Sequence, residues 1–138
     1  MPQITGVAHV ELSVRDLDAS VCWYSELLGA REVFRAPNEE RGFEAVAIHE
    51  PVSGMVLAFT CHKRAGDGFS ELRPGLDHLA FGVADREALE AWQTRLDELG
   101  IAHDGIDDQG VAAGLNFRDP DGIALEFFLT VRQAKRDA

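Results

Sequence analysis

Apolar and polar residues alternate along Val7–Val14 and again along Leu76–Val83. A period of two is the mark of a strand with one face turned toward a core. In the first stretch Ala8, Val10, Leu12 and Val14 share one side, and Val7, His9, Glu11 and Ser13 the other. In the second, Leu79, Phe81 and Val83 oppose His78 and Ala80. Each stretch then gives way to helical spacing. Leu17, Val21, Tyr24 and Leu28 fall on one helical face, and Leu89, Trp92, Leu96 and Leu99 on another. Asp16 and Asp85 stand where an N-cap is needed, and Gly29 and Gly100 where a left-handed residue would end each helix.

Short strands are predicted after each helix, at Glu32–Arg35, Phe43–His49 and Met55–Cys61, then near Ala102–Asp104, Val111–Arg118 and Ile123–Thr130. Asp119-Pro120-Asp121-Gly122 predicts a tight hairpin between the last two. Gly42, Gly54 and Gly114 read as turn or bulge positions. In the last strand Ile123, Leu125, Phe127 and Leu129 form an apolar row, with Ala124, Glu126 and Phe128 on the opposite face. The matching strand places Met55, Leu57 and Phe59 against Val56, Ala58 and Thr60.

These parallels amount to a repeat. Gly6 through Val14 overlays Gly75 through Val83, with His9 on His78 at a displacement of 69 residues. The same displacement places Asp16 on Asp85, Trp23 on Trp92 and Leu27 on Leu96. With one gap, Glu50–Phe59 overlays Asp119–Phe127, and Ala58 falls on Glu126. Two matched stretches at nearly one displacement, with the same order of elements between them, indicate a duplicated βαβββ module. Module one spans about 5–61, a polar Gly- and Pro-containing linker 62–75, and module two 76–130. The expected fold class is α+β within a single domain, 1–138. Two tandem βαβββ modules would form a curved mixed sheet enclosing a cavity, with the helices on the convex face.

Composition narrows the function classes. Hydrophobic residues make up 46% and charged residues 27%, an ordinary globular balance. A net charge of −11 repels phosphate backbones and anionic headgroups, so neither nucleic acid nor a membrane surface is an expected partner. Two cysteines, Cys22 and Cys61, are too few for a disulfide framework and suit a reducing compartment. The opening Met1-Pro2-Gln3-Ile4 shows no secretory pattern, which makes the cytoplasm the expected location.

With the apolar rows packed under the helices, the opposite faces bring His9, His78 and Glu126 into one cavity. A carboxylate on a half-buried sheet face is costly unless paired or bound to a cation. Two neutral imidazoles and a carboxylate suit Fe(II), Mn(II), Zn(II), Ni(II) or Co(II). A single His or Glu on a strand is ordinarily structural or solvated; the repeat relation between His9 and His78 is what singles these out. Glu11 reads as a further cavity carboxylate or a solvated one, outside the metal shell. His49, His62 and His103 read as surface residues, although His62 is in phase with Ala58 and could reach the rim.

Four stretches carry a resemblance: Gly6-Val7-Ala8-His9-Val10, Trp23-Tyr24 ahead of Leu27-Leu28-Gly29, Leu76 through Phe81, and Phe117 through Glu126. In these, over about residues 5–130, the chain resembles the vicinal oxygen chelate superfamily. That group includes glyoxalase I, fosfomycin resistance proteins, bleomycin resistance proteins and extradiol dioxygenases. The resemblance places metal positions at His9, Ala58, His78 and Glu126. Glyoxalase I-like members carry Glu or Gln where this chain has Ala58. The remaining His-His-Glu set is that of extradiol dioxygenases and fosfomycin resistance proteins. Yet 105–117 holds no Lys, Arg or Ser to grip a phosphonate, Arg118 is the nearest cation, and Tyr24 is the one tyrosine. The implied protein is a metal-dependent enzyme, a dioxygenase or a lyase/isomerase, acting on a small organic substrate through bidentate oxygen chelation. Glu126 would serve as ligand and, swinging off the metal, as a proton carrier. The alternative is a non-catalytic binding or drug-sequestering protein of the bleomycin-resistance type. Small members of the superfamily dimerise, so a homodimer is implied as well.

Overall fold

The computed structural model describes residues 1–38, 42–63 and 66–130. The chain divides into two compact units, one ending at Asp67 and the other beginning at Gly68, so the boundary lies inside the expected linker. Each unit is one βαβββ module.

In the first unit β1 (Val10–Ser13) leads into α1 (Leu17–Leu28), then β2 (Arg31–Asn38), β3 (Phe43–His49) and β4 (Val56–His62). The sheet order is β1-β4-β3-β2. β1 runs parallel to β4, and the other pairs are antiparallel. The Asp16 carboxylate caps α1 by accepting the Ala19 N–H at 3.0 Å, and Gly29 ends it at φ 66°. Leu17, Val21, Tyr24, Leu27 and Leu28 are buried beneath the sheet with Leu57 and Phe59. The Tyr24 ring lies 4.8 Å from that of Phe59.

The second unit repeats the plan with β5 (Leu79–Gly82), α2 (Arg86–Glu98), β6 (His103–Asp108), β7 (Ala112–Arg118) and β8 (Ala124–Thr130) in sheet order β5-β8-β7-β6. Asp85 caps α2 through the Ala88 N–H. Leu89 and Leu96 are fully buried, while Trp92 stacks on Phe127 at 4.2 Å and 14°. Phe81 and Phe117 flank the same ring. The apolar row Ile123, Leu125, Phe127 and Leu129 therefore faces α2, and Glu126 lies on the open face of the sheet.

The hairpins repeat in chemistry as well as in sequence. The buried Asp119 carboxylate accepts the N–H groups of Asp121 and Ile123, both at 2.8 Å, and the turn closes on Gly122 at φ 79°. In the first unit Glu50 accepts the N–H groups of Val52 and Ser53, and Gly54 closes a turn one residue longer. That extra residue is the gap in the repeat.

Three expectations need correction. β1 and β5 begin three residues later than their alternation suggests, so His9 and His78 lie just ahead of the strands. The parallel ladders start only where Val10 meets Leu57 and Leu79 meets Leu125, one residue after each histidine. β6 runs to Asp108, well past the predicted end. It is an edge strand of His-Asp-Gly-Ile-Asp-Asp with a bulge between His103 and Ile106, a composition that conceals strand character. Gly114 is neither turn nor bulge but a mid-strand residue of β7.

Candidate functional site

The register of β5 on β8 sets Ala80 beside Glu126 and Leu79 beside Leu125. His78, one residue earlier, therefore comes to the open face of the second sheet. Its Nε2 lies 3.3 Å from Glu126 Oε2. Its Nδ1 lies 2.6 Å from Asp77 Oδ1. A carboxylate on Nδ1 favours the tautomer with the proton there, which turns the Nε2 lone pair toward Glu126. The Glu126 side chain is only 13% exposed, and burial holds its pKa above the ordinary carboxylate value, opposed in part by His78.

Gly114 explains how that carboxylate is seated. A β-carbon built on Gly114 would collide with Glu126 Oε1 and lie 3.2 Å from its Cδ. Glu126 thus reaches diagonally across β7 into the space that a glycine leaves, with Oε1 over Gly114 and Oε2 toward His78. Asn116 is its direct neighbour in the ladder.

The first unit holds the related residues in a different arrangement. His9 Nε2 lies 4.0 Å from Glu11 Oε2. The buried Thr60 hydroxyl donates a hydrogen bond to the Glu11 carboxylate and so fixes it. Glu11 pairs with Ala58 in the register, whereas Ala80 pairs with Glu126. Each unit therefore carries one carboxylate on this rung, on the first strand in one and on the last strand in the other. Sequence reading set Glu11 aside; the signal available was its place two residues after His9, on the same face.

Among the described residues no three His, Cys, Asp or Glu side chains are gathered into a group that could hold an ion. His78 and Glu126 are brought together in the second unit; His9 lies in the first beside Glu11. The other candidates divide. His103, expected at the surface, has a side chain only 12% exposed, with Nε2 2.9 Å from Asp97 Oδ1 and Nδ1 accepting the Gly105 N–H. His62 is exposed and meets Phe43 edge-on. Tyr24 is fully buried, which removes it from acid–base work.

A cavity of about 540 Å³ opens beside His78 in the second unit. Asp77, Asn116, Arg118, Asp104 and Glu71 contribute to its walls. Arg118 donates through Nη1 to the Gly122 carbonyl at 2.8 Å and through Nη2 to Glu71 Oε1 at 2.7 Å. No helix among the described residues is long and apolar enough to cross a membrane.

Comparison with known proteins places this chain in a family. MhqA of Bacillus subtilis, which carries the name of a ring-cleaving dioxygenase, is 30% identical over 124 residues. That match covers 88% of this chain but only 38% of MhqA, so the chain spans well under half the length of that relative. The metallothiol transferase FosB of Bacillus licheniformis is 28% identical, over 90% of this chain and 75% of FosB. The crystal structure of a glyoxylase/bleomycin resistance protein/dioxygenase domain from Frankia sp. EAN1pec superposes with a TM-score of 0.84 at 37% identity, covering 93% of this chain and 99% of that one. The profile of the Glyoxalase/Bleomycin resistance protein/Dioxygenase superfamily matches residues 6–127. A chain matched over nearly its whole length, with the fold and the duplicated module of that group, belongs to the glyoxalase/bleomycin resistance protein/dioxygenase superfamily.

Proposed function

We propose that this protein is a metal-dependent enzyme acting on a small organic substrate, with a divalent ion held by His78, Glu126 and His9. The observation that carries the reading is the spacing of His78 Nε2 and Glu126 Oε2 at 3.3 Å. Two donors each ~2.1 Å from one ion, at an angle near the tetrahedral or octahedral value, lie about 3.0–3.4 Å apart. The chemistry of the pair agrees. Asp77 holds the imidazole by its far nitrogen, and Gly114 leaves room for the carboxylate. The donor set admits Fe, Mn, Zn, Ni or Co.

A bound ion would supply Lewis-acid polarisation of two neighbouring substrate oxygens. The residues do the rest. His78 and Glu126 orient the substrate by fixing where its oxygens meet the protein. Glu126, whose carboxyl holds its proton more readily than a surface one, is the group placed to carry a proton once freed from other duty. His9 is proposed as the third ligand because it is the repeat counterpart of His78. The reading makes the protein a homodimer, with modules paired across chains.

The test is metal content and metal titration of the parent and of His78→Ala, Glu126→Ala and His9→Ala, each checked by circular dichroism. The expected result is one ion per chain in the parent and strong loss in each variant. Full retention in a folded His78→Ala or Glu126→Ala would end the reading. Mixing His9→Ala with His78→Ala chains addresses the dimer: recovery of about half the metal is expected if ligands come from two subunits. The second reading, a non-catalytic binder of the bleomycin-resistance type, requires ligand binding that survives chelation and all three substitutions.

A further inference from the structure

We infer that Arg118 is a carboxylate-recognition residue of the cavity beside His78, that Glu71 is its resting counter-ion, and that the ligand of this cavity is a small organic acid. The inference deepens the proposed function, on which its placement of the ligand beside His78 and Glu126 rests.

Among the described residues lining the cavity, Arg118 is the only Lys or Arg. One arm of its guanidinium is fixed to the Gly122 carbonyl at 2.8 Å, in the turn that joins β7 to β8. The other arm holds the Glu71 carboxylate at 2.7 Å. The hydrogen bond to Glu71, with a smaller contribution from Asp104, raises the guanidinium pKa above its ordinary value. A planar donor held at one edge by the backbone, with its second edge offered to a carboxylate, is arranged for carboxylate binding.

The present occupant is weakly held. Glu71 and Arg118 side chains are 38% and 51% exposed. An ion pair so wet contributes little to stability. Glu71 comes from the loop of the second unit ahead of β5, not from the sheet, and a ligand carboxylate would replace its charge rather than add to it. Two other cavity groups are engaged elsewhere: Asp77 on His78, and His103 on Asp97 and the Gly105 N–H. At about 540 Å³ the space suits a molecule of one ring or a short chain. His78 lines the same cavity, so an acid anchored at Arg118 presents its remaining oxygens toward the His78 side of it, the side from which His78 reaches Glu126.

The experiment is calorimetric titration of the full chain with 2-hydroxybenzoate and with its neutral analogue 2-hydroxybenzamide, each in chelator and in Mn(II). The expected result is saturable binding of the acid, preferred over the amide by about tenfold or more. Glu71→Gln removes the competitor and should tighten acid binding about two- to fivefold, leaving the amide unchanged. Arg118→Lys keeps the charge but loses the fork, and should erase most of the preference. If Arg118→Lys does not fold, the parent and Glu71→Gln still decide. Equal affinity for acid and amide, or acid binding weakened by Glu71→Gln, overturns the inference. An acid preference that persists in chelator supports Arg118 even if metal titration shows no ion; metal binding without an acid preference sinks this inference alone.

Discussion

The Glu126 carboxylate lies in the space that a methyl group on Gly114 would fill. One oxygen rests over the glycine and the other faces His78 Nε2 at 3.3 Å. The absent side chain on β7 is what lets a carboxylate on β8 reach the histidine.

Gly114→Ala should therefore displace Glu126 without breaking the sheet. Gly114 has an ordinary strand backbone, so alanine brings no conformational strain, and the atom it meets is the end of a flexible side chain. Metal affinity is expected to fall about tenfold or more, with stability changed by no more than ~1 kcal/mol. Metal titration beside thermal unfolding checks this. Unchanged affinity would show that the seat over Gly114 is not the working position of Glu126.

Asp77 should act through His78. Asp77→Ala removes the acceptor on Nδ1 and is expected to weaken metal binding about 10- to 100-fold. Asp77→Asn keeps an acceptor and should recover much of that loss. Nitrogen NMR of the His78 ring in the chelated protein reports the tautomer directly. If Asp77→Ala leaves the proton on Nδ1, the carboxylate does not set it.

Glu11 makes Ala58→Glu costly. The two positions are neighbours in the β1–β4 register, and Ala58 is buried. Like charges side by side on adjacent strands destabilise. The single substitution is expected to cost about 1–3 kcal/mol. Adding Glu11→Ala, which moves the carboxylate to the rung position it holds in the second unit, should recover a good part. Denaturant unfolding of the three variants measures the coupling, and additive costs would mean the two side chains do not meet.

Without metal, Glu126 should make stability fall as pH rises. Its folded pKa is raised by burial. Such a group adds stability below its unfolded value, ~4.3, that is lost as pH climbs through the folded value. In chelator, Glu126→Gln is expected to match or exceed the parent in Tm at pH 7, with the difference closing toward pH 4. Thermal unfolding across that window decides. A difference that does not change with pH would mean burial is not what acts on this carboxyl.

The sequence by itself determined the duplicated module, both N-caps and the αL glycines, the Asp119–Gly122 turn, and the facing of Leu125 and Phe127 opposite Glu126. All of these depend on local conformational preference or on a hydrophobic period, and both are written along the chain. It also singled out His78, as the repeat counterpart of His9, and Glu126, as a carboxylate on the same kind of half-buried face. Tertiary structure decided what depends on neighbours distant in sequence. Where β1 and β5 begin was set by where their parallel ladders to β4 and β8 start, at Val10 on Leu57 and Leu79 on Leu125. That Glu11 shares a rung with Ala58 and Glu126 with Ala80 follows from register, which no single strand encodes. Gly114 looked like a turn residue because its purpose, room for a side chain twelve positions away, exists only once β7 and β8 lie side by side.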